Sequence, residues 1–355
     1  MNVWKVCLGL VWVVAVTGLG TGTAWGDAFN DYGPITPFSL PASSPFDVLN
    51  DGRLVTLDGA DVYTETAVGS RSFTQLGTLT GMDVPGYGAA FIRVSPDGAR
   101  IAVGNSGGAS WNNYEVGIFN LWDDVTGQWF DVDHYGAEWY DNGNLGLTAG
   151  AMGPTRVTLL DVESLDNPVV VENIGGASAG ITFDALGNLY TGNGYRFAGP
   201  SDTGWIKAFE PADWMAPLTG GDPADFEDEP TLIADLLSAG SLGFDGEGNL
   251  YVGGGDLYSG SGDYDYGALV RHNVVNRALD DLDAADPSDP DEVRTFDPDP
   301  DTLNNSNAYY ANYNFVTGEL YFREGATVYP YIVPEPASLL LLAAGMAMVV
   351  RRRVR

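Results

Sequence analysis

The residues best suited to holding a ligand stand in three glycine-flanked stretches. The first runs from Gly104 to Tyr114 and carries Trp111 and Tyr114 beside Asn112 and Asn113. The second, Gly192 to Thr203, carries Tyr195, Arg196 and Phe197. The third, Gly253 to Tyr266, interleaves Tyr258, Tyr264 and Tyr266 with Asp256, Asp263 and Asp265. Aromatic rings with a polar handle suit sugar rings or protein surfaces. The three aspartates are hard oxygen donors and could place a Ca²⁺ ion between loops. Glycines allow such loops varied shapes, and variable loops on a rigid scaffold are where function concentrates.

Catalytic signatures are thin. The chain has two histidines, His134 and His272, and no spacing pairs them. There is no His-Glu-x-x-His helix and no phosphate loop. The one cysteine, Cys7, falls in the apolar N-terminal segment, so the body has no thiolate chemistry and no disulfide. A total of 48 Asp and Glu against 16 Lys and Arg repels a phosphate backbone, so no nucleic-acid partner is expected. With so many carboxylates, a pair suited to glycosidase work is bound to occur somewhere, so such a pair has no diagnostic weight.

The elements that must position these loops repeat along the chain. Six turns share a glycine followed by an apolar strand: Gly52, Gly98, Gly143, Gly187, Gly248 and Gly318, spaced 46, 45, 44, 61 and 70 residues apart. Three of them continue as Gly-Asn-Leu: at Gly143, Gly187 and Gly248. Glycine supplies the positive φ of a tight hairpin turn. A period in the mid-forties is that of a four-stranded propeller blade. Two further strands follow in most repeats, such as 204–209 and 231–236 in the fourth. The fold expected is all-β: a six-bladed β-propeller over residues 27–332, with seven blades as the competing count if a degenerate one hides in the longer spacings. The last repeat runs out of chain after 328–332, while Pro34 to Leu40 has no partner. The N-terminal segment is therefore expected to close the last blade and remove its open edge. The acidic, Pro-rich insertions Pro211 to Pro230 and Asn276 to Pro290 read as solvated, mobile loops, with Ca²⁺ binding by their clustered carboxylates as the alternative, although no EF-hand spacing appears. The turn-glycine face is expected to offer little for binding beyond them.

The ends carry an address. Lys5, the apolar run Val6 to Val16, and Ala24 and Gly26 before Asp27 read as a signal peptide over residues 1–26. At the other end Pro334, Glu335 and Pro336 precede an apolar run, Ala337 to Val350, and then Arg351, Arg352, Arg353 and Arg355. Apolar residues enter the bilayer while arginines stay on the cytoplasmic side.

This tail, residues 333–355, resembles the PEP-CTERM sorting signal. The resemblance implies processing by an exosortase-type enzyme, transient tethering to the inner membrane by a C-terminal hydrophobic helix, and a final place at the cell surface or in the extracellular matrix. Family members often travel with exopolysaccharide and biofilm genes. The body loosely resembles propellers of the NHL and gluconolactonase-like kind through its Asp-Gly-Asn-Leu-Tyr-like turns. That implies, as the alternative to a non-catalytic binding scaffold for polysaccharide or a surface protein, a metal-dependent lactonase or sugar-polymer hydrolase. No residue set for such a metal maps onto the sequence.

Overall fold

The computed structural model describes residues 36–81, 89–106, 114–123, 125–149, 155–175, 178–193, 204–236, 240–246, 248–253, 269–272, 274–275, 277–279, 294–296, 311–324 and 326–332. The chain starts with a short strand, β1 (Phe38–Ser39). Up-and-down sheets follow. The first holds β2 (Phe46–Val48), β3 (Leu54–Asp58), β4 (Asp61–Glu65) and β5 (Phe73–Thr78). The second holds β6 (Ala89–Val94), β7 (Arg100–Ser106), β8 (Tyr114–Asn120) and β9 (Gly127–Asp131). In the third, β10 (Gly136–Trp139), β11 (Asn144–Ala149), β12 (Thr155–Asp161) and β13 (Val169–Ile174) repeat the pattern.

The fourth sheet comprises β14 (Ser178–Phe183), β15 (Leu189–Asn193) and β16 (Gly204–Phe209). Its last strand is reached through a helical turn α1 (Pro211–Trp214) and the short strand β17 (Ala224–Asp225), and is β18 (Thr231–Leu236). The fifth comprises β19 (Ser241–Phe244), β20 (Leu250–Gly253) and β21 (Leu269–His272). A hairpin of β22 (Val274–Val275) and β23 (Ala278–Leu279) precedes its outer strand β24 (Arg294–Phe296). The last sheet is β25 (Ala311–Asn314), β26 (Glu319–Glu324) and β27 (Thr327–Ile332), completed by β1. Thus five sheets have four strands, and one, β10–β13, gains β17 as a fifth.

The innermost strands touch in a closed circle: β2 with β6, β6 with β10, β10 with β14, β14 with β19, β19 with β25, and β25 with β2. This is a β-propeller. Its core is a set of apolar layers between neighbouring sheets rather than one central mass. One layer joins Val55, Leu57 and Val62 to Ile92, Ile101 and Val103. Another joins Ala102 and Val116 to Ala137, Leu145 and Leu160. A strand held between two sheets needs apolar residues on both sides, which is why Leu54–Leu57 is buried throughout. Burial falls outward, and β5 has no buried residue.

Closure follows the sequence expectation. Phe38 pairs with Val328 and Ser39 with Thr327, antiparallel, and Leu40 N–H donates to Ala326 O at 2.9 Å. Five of the six repeat glycines have positive φ, from 69° at Gly98 to 87° at Gly52. Gly143 does not; there Asp141 Oδ1 accepts from Gly143 N–H at 2.7 Å and shapes the turn instead.

One expectation is corrected. Residues 211–230 are not a solvated, mobile loop. Trp214 is fully buried, its ring lies 5.0 Å from Tyr140 and 5.5 Å from Phe183, and its Nε1 donates to Gly187 O at 3.1 Å. Phe226 is buried against Phe209. Strand β17 pairs in parallel with β13 of the preceding sheet. Lys207 reaches across to Phe226 O at 2.5 Å. Two aromatic anchors among the acidic residues thus staple the fourth sheet to the third. Of the second insertion, 276–290, only 277–279 is described, and it belongs to the β22–β23 hairpin.

His134 is a core residue. It is 1% exposed, its Nδ1 lies 3.0 Å from Val132 O, and Phe91 meets its ring edge-on at 5.2 Å. Burial pulls its pKa down to about 4, so it is neutral at neutral pH.

Candidate functional site

A cavity of about 460 Å³ occupies the centre of the ring. It is lined by the ends of the innermost strands and by the turns that follow them, including Asn50, Pro96, Phe315 and Val316. It therefore opens on the face that carries the repeat glycines, contrary to the expectation that this face offers little.

The innermost strands place one register position of each sheet around this lumen. Strand pairing identifies it: Asp47 faces Val55, Arg93 faces Ala102, Glu138 faces Gly146, Thr182 faces Tyr190, Gly243 faces Tyr251 and Asn312 faces Tyr321. Three of these side chains reach the backbone of the next sheet. Asp47 Oδ2 accepts from Val94 N–H at 2.6 Å. Arg93 Nε donates to Ala137 O at 2.9 Å. Asn312 Nδ2 donates to Phe46 O at 2.7 Å. The lumen-side edge of an innermost strand has no neighbouring strand to bond, and polar side chains from the previous sheet satisfy part of it.

Asp47, Arg93 and Glu138 form one electrostatic group. Arg93 Nε lies 3.4 Å from Glu138 Oε2, and its guanidinium also lowers the pKa of Asp47. Burial nonetheless wins at both carboxyls. It raises Asp47 above the ordinary carboxylate range, against Arg93 and the N–H groups of Val94 and Val48. It raises Glu138 to about 7, with Asp47 adding to the rise and Arg93 and Trp139 N–H opposing it. Glu138 keeps 31% of its side chain open to the lumen, so a ligand or proton can reach it there. Among the described residues no three His, Cys, Asp or Glu are grouped to hold a metal ion. In the lumen a guanidinium stands beside the two carboxylates, where a lactonase metal would need further oxygen donors.

The raised pKa has a sign. Unfolded, Glu138 would lose its proton near pH 4.5; folded, it holds it to about 7. Its contribution to stability is therefore fully present below about 4.5 and lost as pH rises through 7. Glu138→Gln is expected to remove that loss, so denaturant titrations of the variant and parent should agree at pH 4.5 and diverge at pH 8, with the variant the more stable. Equal stabilities at pH 8 would show that lumen water already solvates the carboxylate.

The aromatic and acidic residues singled out in the sequence are Trp111, Tyr195, Phe197, Tyr258, Tyr264 and Tyr266, with Asp256, Asp263 and Asp265. All lie outside the described residues. Tyr114 opens β8, its backbone opposite Ser106. The lumen group was missed, although its signal is present. Aligning the repeats on their turn glycines puts Asp47, Arg93, Glu138, Thr182 and Gly243 five residues upstream in one column, with Asn312 six upstream of Gly318.

At the C-terminal end, β27 stops at Ile332, and residues 333–354 match the family model described as the PEP-CTERM protein-sorting motif. The chain ends in a PEP-CTERM sorting motif. The motif implies export, a membrane-associated sorting signal and recognition by an exosortase. Pro334, Glu335, Pro336 and the arginines Arg351, Arg352 and Arg353 all fall within it. Among the described residues no helix is long and apolar enough to cross a membrane, and the motif itself lies outside them.

No curated protein matches the sequence. Solved structures do match in shape. A chain of the mitotic checkpoint complex superposes with a TM-score of 0.52 at 13% identity, over 89% of this chain and 98% of that one. The tricorn protease gives 0.49 at 16% identity, over 82% of this chain and 25% of that one. The β-propeller domain of Myceliophteria thermophila Cps50 (Swd1) gives 0.47 at 14% identity, over 84% and 90%. At such identities the likeness concerns the fold alone.

Proposed function

We propose that this chain is an exported surface or matrix protein whose six sheets, the five-stranded one included, act as the six blades of a binding scaffold for extracellular polysaccharide. In this reading residues 1–26 direct export and are removed. The apolar run after Pro336 tethers the chain to the inner membrane until an exosortase frees the body.

The observation that carries the binding reading is the use of the lumen side chains. Asp47, Arg93 and Asn312 are committed to the backbone of the next sheet, which makes the ring a rigid frame rather than a set of free acids and bases. Loops 104–114, 192–203 and 253–266 join second to third strands. The ends of β7, β15 and β20 that lead into them lie on the face opposite the lumen mouth, and this reading takes the loop aromatics as the stacking surfaces. Ca²⁺ held by Asp256, Asp263 and Asp265 would order the third loop.

The test is glycan binding by the exported, processed protein, with and without Ca²⁺, against a Trp111→Ala, Tyr195→Ala, Tyr264→Ala triple variant. The expected result is binding by the parent and at least a tenfold loss in the folded variant. No parent binding to any matrix polysaccharide would overturn the ligand class and point to a protein partner. Equal binding by parent and variant would overturn the loop assignment.

A further inference from the structure

The path of β27 fixes which way the body faces when its tail is in a membrane. Strand β25 ends at Asn314, the chain turns through Phe315–Gly318, and β26 starts at Glu319. Ile332, the last residue of β27, pairs with Glu319. The chain therefore leaves the last sheet level with the Phe315–Gly318 turn, on the face where the lumen opens. Strand β1 is antiparallel to β27, so the N-terminal segment enters from that same face. The apolar run begins at Ala337. The five steps from Ile332 span at most about 18 Å even when fully extended.

A body so tethered keeps the rim of its last sheet within about 18 Å of the inserted run. That rim is apolar. Phe315 is 72% exposed and Val316 58%. Val316 packs directly over Gly52 of the first sheet, where a Cβ would come within 2.8 Å of it. Arg53, next to that glycine, stacks over Trp122 of the second sheet at 5.6 Å, and Trp122 is 56% exposed. The result is a strip of Phe, Val, Arg and Trp running from the point of chain exit across three sheets. In a protein with a formal charge of −32, this strip offers an aromatic and aliphatic surface in which Arg53 pairs with the carboxylate of its neighbour Asp51 at 2.8 Å. Aromatic residues and arginine are the side chains that settle at a bilayer interface.

We propose that the strip Phe315, Val316, Arg53 and Trp122 seats on the bilayer surface while the tail is inserted, so that the lumen mouth faces the membrane and becomes accessible only after processing. The proposal rests on the tethered state described above, and its test separates the two.

The full chain has one cysteine, Cys7, in the N-terminal segment, so with Cys7→Ser a single label can be placed at will. Thr317 is exposed and sits in the rim turn beside the apolar pair. Tyr135 is 41% exposed and precedes β10, at the opposite face. Thr317→Cys, Tyr135→Cys and Ala343→Cys would each carry an environment-sensitive fluorophore, in full chain reconstituted into zwitterionic vesicles containing brominated lipid. The expected result is strong quenching at 343, clear quenching at 317 and none at 135. Replacing Phe315 and Val316 by Ser should at least halve the quenching at 317 while leaving 343 unchanged. Quenching at 343 with none at 317, or equal quenching at 317 and 135, would overturn the seating and leave the tether intact. No quenching at 343 would overturn the tether itself, and the seating with it. An unchanged signal at 317 after the double Ser substitution would overturn the role of the apolar pair.

Discussion

A chain lacking residues 36–41 is expected to melt about 5–10 °C below the intact protein and to lose solubility at the same time. These residues close the ring. Leu40 is 5% exposed and packs with Phe46, Leu54, Tyr321 and Val328. Phe38 meets Tyr321 edge-on at 6.4 Å and lies under the Arg71 guanidinium at 4.4 Å. Burying a leucine and part of a phenylalanine stabilises by about 3–5 kcal/mol. For a domain of this size each kcal/mol moves the midpoint by about 2 °C or slightly more. The deletion also uncovers the backbone groups of β27 that β1 now pairs, and an exposed edge strand is a template for aggregation. A Phe38→Ala, Leu40→Ala variant separates the two effects. It keeps the β1 backbone and should show most of that drop in midpoint but less of the loss of solubility. Scanning calorimetry and light scattering read both, and an unchanged midpoint in the deletion would mean that the ring does not depend on this closure.

That closure was legible in the sequence because it is a matter of counting. The last repeat lacked an outer strand, and an unpaired segment preceded the first. Strands 204–209 and 231–236 were legible to the residue, because each is a β-rich run bounded by turn residues. The insertion between them was misread for an equally physical reason. Its acidic and proline content suggested solvation, yet Trp214 and Phe226, two large apolar side chains, decide where it goes. Composition averages over a segment, whereas docking depends on its one or two largest apolar groups. The lumen group escaped for a different reason. Asp47, Arg93 and Glu138 are far apart in sequence, unlike in chemistry, and each is ordinary in its own strand. Only the ring closure brings them into one circle, and only the register says that their side chains meet.

The turn motif shows the opposite case, where the sequence repeats a chemical solution that the structure then explains. In the fourth repeat Asp184 Oδ1 accepts from the backbone N–H of Leu186 and of Asn188, both at 2.9 Å. Its Oδ2 accepts from Asn188 Nδ2 at 2.7 Å and from the Tyr190 hydroxyl at 3.0 Å. The fifth repeat does the same with Asp245, Asn249 and Tyr251. The pattern Asp-x-x-Gly-Asn-Leu-Tyr is thus a carboxylate that collects the donors of its own turn. The glycine lets the chain come back at φ 82° and 86° in the two copies. Tyr190 is buried; burial first, and then the Asp184 carboxylate, push its pKa above the ordinary phenol value, so the hydroxyl keeps its proton and remains a donor. Asp184→Ala removes four hydrogen bonds at once and strands donors on Asn188 and Tyr190, both buried. Hydrogen bonds to a charged group contribute about 1.5–3 kcal/mol each, but they share one acceptor group and do not add in full. The expected loss is about 3–5 kcal/mol by chemical denaturation. Asp141→Ala, at the exposed turn of the third repeat, serves as the comparison. Its carboxylate accepts from Gly143 N–H and Asn144 Nδ2 only, in the open, so the loss there should stay near 1 kcal/mol. Asp184→Asn should fall between the two, since its amide oxygen retains part of the accepting role but its NH₂ meets the Asn188 amide and the Tyr190 hydroxyl as a donor. If Asp184→Ala and Asp141→Ala cost the same, the buried tyrosine is not what makes the motif matter, and the repeated carboxylate serves the turn alone.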